Sequence, residues 1–317
     1  MHLGHYAGSL ANRVKLQNEY KQFVLVADVQ ALTHNFSDPA KVRSNVVEIM
    51  LDNLAVGLDP TKTTFFIQSG IPQLAELTVY FLNLVTLARA QRNPTVKDEM
   101  KEKGYGATVP LGFLTHPVSQ AADILAFRAD LVPVGADQLP MIEQTNEIVE
   151  KFNSLYGKTF DPVQAILSSS PRLSGTDGQS KMSKSLGNAI FLSDDKDEIE
   201  KKVMGMYTDP GHIHASDPGK VDGNPVFEYL SLFHPDQAKV SEMKEKYQKG
   251  GLGDVEIKKE LAAILNDFLT PIREKREYLA RNLNKITDIL KAGKMEAEKV
   301  ASETLQDVKK IMQLNYF

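Results

Sequence analysis

The sequence contains no cysteine and no tryptophan. The first absence excludes disulfide scaffolding, thiolate catalysis and Cys-ligated zinc. No apolar run approaches the ~20 residues that span a bilayer, and no secretory signal pattern opens the chain. The expectation is a cytoplasmic protein with no membrane attachment. An excess of either charge is also lacking: 37 Lys and Arg stand against 41 Asp and Glu, a net charge of −4. A strongly basic nucleic-acid coat is therefore excluded, although a local basic patch is not. The balance is uneven, since residues 1–240 carry 22 basic and 28 acidic residues and 241–317 carry 15 and 13. A polyanion, if one binds, is expected to meet the C-terminal third.

The 317 residues suffice for two domains at roughly 150 residues each. With 42% apolar and 25% charged residues, the composition is that of a folded globular chain and argues against disorder and fibrous repeats. Phe23-Val24-Leu25-Val26-Ala27, Thr63 to Gln68 and Leu131 to Gly135 are short apolar runs suited to buried strands. Between them lie helical patterns: Ser9 to Tyr20, Ser37 to Gly57 and Leu74 to Arg89. Alternating strands and helices imply βαβ units, a parallel sheet and a ligand beyond the carboxyl ends of the strands. Asp28 and Gly135-Ala136-Asp137-Gln138 fall at such ends. From about residue 196 strand-like runs disappear. Leu261, Ile264, Leu265, Phe268, Leu269 and Ile272 follow helical spacing, with a kink or break expected at Pro271. A last helix is expected around Val300, Leu305, Val308 and Met312.

Two short motifs carry chemistry. His2-Leu3-Gly4-His5 places two imidazoles at a helix start, where unpaired N–H groups and the positive dipole end favour an anion. Imidazole donors can follow charge that develops on a phosphate, and Gly4 would let a flat base approach the backbone. Lys181-Met182-Ser183-Lys184-Ser185 follows a run of small and polar residues with the composition of a mobile loop. Two lysines there can neutralise a departing pyrophosphate. Either motif alone is equally at home on an ordinary solvated surface.

Together, HLGH and KMSKS resemble the signatures of class I aminoacyl-tRNA synthetases. The resemblance extends over most of the chain. Asp28-Val29-Gln30-Ala31-Leu32-Thr33, Ala121-Ala122-Asp123-Ile124-Leu125, Val132-Pro133-Val134-Gly135-Ala136-Asp137-Gln138 and Tyr207-Thr208-Asp209-Pro210 are similar to the bacterial tryptophanyl-tRNA synthetase family. That likeness implies an α/β fold: a Rossmann-like catalytic domain, residues 1–195, followed by an all-helical anticodon-binding domain, 196–317. It implies tryptophan, ATP with Mg2+, and tRNA(Trp) as substrates, a homodimer, and no resident metal. Carried over residue by residue, His2, His5, Lys181 and Lys184 would serve catalysis. Gly4, Gly135, Asp137, Met182, Ser183 and Ser185 would hold ATP, with Lys97 a further phosphate contact on a looser local match. Asp123 would accept the indole N–H, which is a donor only, and Gln138 would hold the ammonium group. His116 stands where the family usually has an aromatic residue, and Gln120 where many members carry methionine; both are expected beside tryptophan. Members also carry a strand and a Pro-Ser/Thr-Gly turn before the HLGH helix. This chain has neither, so its sheet is expected to lack a central strand.

Three rivals remain open at this point. A tyrosyl-tRNA synthetase could use Asp123 to accept a phenol O–H. A truncated non-catalytic paralogue would suit the missing strand. A small-molecule adenylyltransferase shares an HxGH motif but needs neither KMSKS nor a helical C-terminal domain.

Overall fold

The computed structural model describes residues 1–102, 104–106, 108–167, 173–180, 182–184 and 186–316. In chain order its elements are α1 (Leu3–His5), a π turn (Tyr6–Leu10), α2 (Ala11–Leu16), β1 (Gln22–Val26), α3 (Asp28–Asn35), α4 (Pro39–Ala55) and β2 (Thr63–Ile67). Then come α5 (Pro72–Leu82), α6 (Leu87–Arg92), α7 (Pro94–Glu102), α8 (Leu111–Leu125), β3 (Leu131–Val134), α9 (Leu139–Tyr156) and β4 (Gln164–Leu167). The remainder is helical: α10 (Lys196–Met204), α11 (Pro225–Phe233), α12 (Gln237–Lys249), α13 (Asp254–Ala280) and α14 (Leu283–Ile311). Among the described residues, no helix is long and apolar enough to cross a membrane.

The chain forms two compact units. One gathers residues 1–11, 51–56 and 169–281; the other gathers 12–50, 57–168 and 282–317. The second unit contains the strands. β1 runs parallel to β2, with Gln22 opposite Thr63 and Val26 opposite Ile67. β3 runs parallel to β4, from Leu131 opposite Gln164 to Val134 opposite Leu167. Among the described residues no ladder joins the two pairs. The apolar runs predicted strands buried on both faces, but burial in β1 and β3 is only partial. The reason is an open groove of about 450 Å3 lined by Phe23, Leu25, Phe66, Phe127, Val132 and Pro133. Phe127 stacks on Phe23 at 4.9 Å and tilts against Phe66 at the same distance, so the groove has an aromatic floor. β4 has no counterpart among the sequence-predicted strands, and its burial is low.

In the first unit, α10 to α13 close a core with Ile199, Phe227, Leu230, Tyr247, Leu261 and Leu269 wholly or nearly wholly buried. Their spacing gives each helix one apolar stripe. The break expected at Pro271 does not occur, because α13 runs unbroken through it. Proline removes one backbone donor, but side chains brace the adjoining turn. Thr270 Oγ1 donates to the Asn266 carbonyl at 2.7 Å, and the Arg273 guanidinium donates to Thr270 Oγ1 at 2.7 Å.

The final helix is much longer than the pattern from Val300 suggested. Along its middle it buries Gly293, Ala297 and Ala301 at intervals of four, residues too small to produce a visible apolar period. Those small residues are there for close approach. A Cβ on Gly293 would lie 1.8 Å from the Phe65 carbonyl oxygen of β2, a clash with backbone that no rotamer relieves. Gly293→Ala should therefore cost about 1–3 kcal/mol, the usual range for overpacking, and lower the melting temperature measured by circular dichroism. An unchanged melting temperature would show that α14 does not rest on β2 at this point.

Candidate active site

In the first unit, His2 is extended (φ −119, ψ 169) and caps α1. The segment docks on the chain that follows the lysine-rich loop. His2 and Phe191 form an antiparallel bridge, Leu3 N–H donates to Ile190 O at 2.9 Å, and Leu192 N–H donates to Met1 O at 3.0 Å. Gly4 N–H points at Met182 Sδ, 3.4 Å away and 178 positions along the sequence. His2 N–H donates to His5 Nδ1 at 3.2 Å, which leaves the proton of a neutral His5 ring on Nε2. The two imidazoles pack with centroids 3.7 Å apart and planes tilted by 34°.

The helix-start reading of this motif needs correction. The N–H groups of His2, Leu3, Gly4 and His5 all have partners within the chain, the last being the His2 carbonyl. They are not an open anion cradle, so any phosphate contact falls to the imidazoles. Gly4 is half-buried. A Cβ there would lie 3.0 Å from the His2 ring and 3.5 Å from Met182 Sδ.

Met182 is buried, Ser183 half-buried and Lys184 exposed. Lys181 and Ser185 lie outside the described residues. The loop around them has an ordered base that the motif reading missed. Buried Asn188 accepts from Ser183 N–H at 2.8 Å and donates to Asp177 Oδ2 at 3.0 Å and Ser180 Oγ at 2.9 Å. Slight burial raises the Asp177 proton affinity, but the Asn188 and Ser180 bonds outweigh it and hold the carboxyl below its usual range. A Cβ on Gly175 would come within 2.1 Å of Asn188 Nδ2, which explains that glycine. The Asp177-Gly178 pair was the available turn signal.

In the second unit, Asp123 sits on α8. Burial pushes its carboxyl up to about 7, and hydrogen bonds from Gln68 pull the other way. Gln68 Nε2 lies 3.0 Å from Asp123 Oδ1 and 2.9 Å from Oδ2. Gln68 Oε1 accepts from Gln30 N–H at 3.0 Å. A backbone N–H can only donate, so this last bond fixes which end of the amide faces Asp123. Gln68 is the site residue that sequence reading passed over; its place directly after β2 was the only clue. Asp28 caps the same region, accepting from Ser69 N–H at 2.9 Å and Ser69 Oγ at 2.5 Å.

His116 is buried one and a half to two turns before Asp123 on α8, and burial pushes its imidazole down to about 4. It is therefore neutral and uncharged at ordinary pH. Gln120, one turn before Asp123, is half-buried. Beyond β3, Ala136–Gln138 form a 3-10 turn, and half-buried Gln138 leads into α9. Asp137 is exposed, its carbonyl accepting from Thr95 Oγ1 at 2.9 Å. A Cβ on Gly135 would lie 2.7 Å from Asp137 Oδ1. Asn93 binds the start of α7, which carries exposed Lys97, through Thr95 N–H and Val96 N–H at 3.0 and 3.4 Å. The described residues contain no group of three or more His, Asp or Glu that could hold a metal ion.

Comparison with known proteins agrees with this arrangement. The family model for tRNA synthetases class I (W and Y) matches residues 1–270. The tryptophan--tRNA ligase of Lactococcus lactis subsp. lactis is 54% identical over 325 residues, covering 100% of this chain and 95% of that protein. Among solved structures, tryptophanyl-tRNA synthetase from Campylobacter jejuni, complexed with ADP and tryptophan, has a TM-score of 0.85 at 30% identity. That match covers 99% of this chain and 96% of the other. The Mycoplasma pneumoniae tryptophanyl-tRNA synthetase also has a TM-score of 0.85, at 26% identity, over 99% and 94% of the two chains. The likeness runs the length of the chain in both sequence and fold, and the chain belongs to the class I tRNA synthetases, in the tryptophan--tRNA ligase family.

Proposed function

We infer that the chain activates tryptophan with ATP and passes it to tRNA(Trp), using the two motifs and the Asp123 pocket in distinct roles. The observation that carries this reading is the docking of the HLGH segment on Met182 and residues 190–192, which joins the two signature motifs in one compact unit. The tryptophan carboxylate attacks the α-phosphorus of ATP, the bond to the β-phosphate oxygen breaks, and pyrophosphate leaves. A hydroxyl of the tRNA terminal adenosine then attacks the adenylate carbonyl, and AMP departs. No side chain need form a covalent intermediate, so the protein supplies orientation and charge stabilisation.

In this reading His2 and His5 donate to phosphate oxygens, and Lys181 and Lys184 neutralise the pyrophosphate as it forms. Ser183, Ser185 and Met182 shape that loop, and Mg2+ arrives with ATP as part of the substrate. Gly135 and Asp137 meet the nucleoside, with Lys97 a further phosphate contact. Asp123 accepts the indole N–H, Gln138 holds the ammonium group, and neutral His116 and Gln120 line the amino-acid side. Residues 1–195 carry the catalysis and 196–317 the anticodon contacts. The working form is a cytoplasmic homodimer. Selection through a buried hydrogen bond needs no editing step, because an analogue without the donor leaves the acceptor unpaired.

ATP–pyrophosphate exchange measured side by side with tryptophan and tyrosine tests the reading. Tryptophan-dependent exchange is expected, and a preference for tyrosine would overturn the specificity. Lys184→Ala should slow single-turnover adenylation by about 10²–10³, the usual scale for a lost transition-state contact, with little change in tryptophan affinity. A normal adenylation rate would remove the loop from catalysis. Asp123→Asn keeps an acceptor but loses the charge, so tryptophan binding should weaken by roughly ten- to a hundred-fold, using 1.4 kcal/mol per decade. Because the chain has no tryptophan of its own, ligand fluorescence reports that binding directly. Equal affinity would take Asp123 out of the pocket.

A further inference from the structure

Resting on the assignment of Asp123 to the indole N–H, we propose that Gln68 is a positioning residue that keeps this site an acceptor and so sets its preference for an indole over a phenol. Gln68 is buried, and both ends of its amide are committed. Nε2 forks across the two carboxylate oxygens at 3.0 and 2.9 Å, and Oε1 is tied to Gln30 N–H at 3.0 Å. One N–H of the amide serves both oxygens, because they subtend a far smaller angle at Nε2 than its two N–H bonds do. It favours the ionised carboxylate, because N–H groups bond the charged form more strongly than the neutral one.

The distinction matters because the two competing ligands differ in kind. An indole N–H only donates, whereas a phenol hydroxyl both donates and accepts. An ionised Asp123 pinned by Gln68 can accept from either but can donate to neither. A protonated Asp123 could donate to a phenol oxygen and would accept an indole N–H less well. The fork from Gln68 therefore opposes the one proton that would blur selection.

The surrounding charges do not take over this task. Asp28 of α3 is bonded to Ser69, Glu76 of α5 to Lys309, and Glu147 of α9 to Arg89. His34 of α3 acts on His116. Arg13, Lys21, Arg128 and Asp130 border the groove on which Asp123 opens, yet the causes acting on its carboxyl are burial and Gln68.

The test follows tryptophan binding to the full chain by fluorescence between pH 5.5 and 9, in wild type, Gln68→Met and Gln68→Glu. Wild-type affinity should rise with pH as Asp123 ionises and then level off. Gln68→Met removes the donors at similar volume and should move that rise to higher pH. At pH 6.5 binding should weaken by roughly tenfold, and at pH 9 most of the loss should be recovered. Gln68→Glu, isosteric but unable to donate when ionised, should move the rise further still. Exchange assays at pH 6.5 should show the tryptophan-over-tyrosine ratio of kcat/KM narrowing in both variants and widening again at pH 9. A purely structural glutamine would give losses independent of pH in either variant, which would overturn the inference. So would an unchanged profile in the Glu variant. Asp123→Asn separates the two levels of argument. If it leaves tryptophan affinity unaltered, the assignment of Asp123 fails; if it weakens binding while the Gln68 variants keep the wild-type profile, only the role of Gln68 fails.

Discussion

The bond from Leu3 N–H to the Ile190 carbonyl, at 2.9 Å, is buried and joins segments far apart in sequence. It anchors the first signature motif to the chain leaving the second. Leu3 is fully buried in the same core as Met182, Ile190 and Leu192, so apolar packing and backbone pairing act on the same few residues. A net contribution of roughly 1 kcal/mol per hydrogen bond is modest, but burying an unpaired N–H or carbonyl costs more, which makes the register hard to slip. The packing of His2 against His5 and the approach of Gly4 to Met182 follow from that register.

A second constraint governs the amino-acid side. Lifting an Asp carboxyl from 3.8 to about 7 corresponds to on the order of 4 kcal/mol of unfavourable desolvation left after Gln68 has acted. The fold bears that cost because the alternative acceptors are weaker. A neutral amide or hydroxyl at position 123 would be cheaper to bury, but it accepts more weakly than an ionised carboxylate and carries a donor that could pair with a phenol oxygen. In the proposed reading desolvation is the cost of the site, and a ligand that brings no donor leaves the carboxylate unpaired.

Much of this was legible in the residues. HLGH, KMSKS and the AADIL and VPVGADQ segments pointed to the family by their resemblance to its motifs. β1, β2 and β3 stood out as apolar runs and were placed to within a residue or so. What escaped has physical reasons. The middle of α14 buries Gly293, Ala297 and Ala301, whose small size hides the period. The unbroken α13 depends on Thr270 and Arg273 bridging the turn at Pro271, a three-dimensional compensation with no local pattern. Gln68 and Asn188 are uncharged amides, and nothing in sequence separates an amide that organises a site from one on the surface. The occupied N–H groups of Leu3 and Gly4 were equally invisible, since their partners lie at Ile190 and Met182.

The contrast between Lys184 and Asp123 shows why the two halves of the chemistry are built from different materials. Lys184 is exposed, where a fixed ion pair gains little and side-chain freedom is retained. In the proposed reading such a group contributes least to a resting complex and most when charge appears on a leaving pyrophosphate, which raises kcat rather than affinity. Asp123 is the reverse: held from both oxygens, costly to bury and unable to move with the reaction. A group of that kind cannot follow developing charge, but it can reject a ligand whose donors do not match. In the proposed reading an exposed cation serves the transition state and a desolvated carboxyl serves the substrate, and the two environments are not interchangeable.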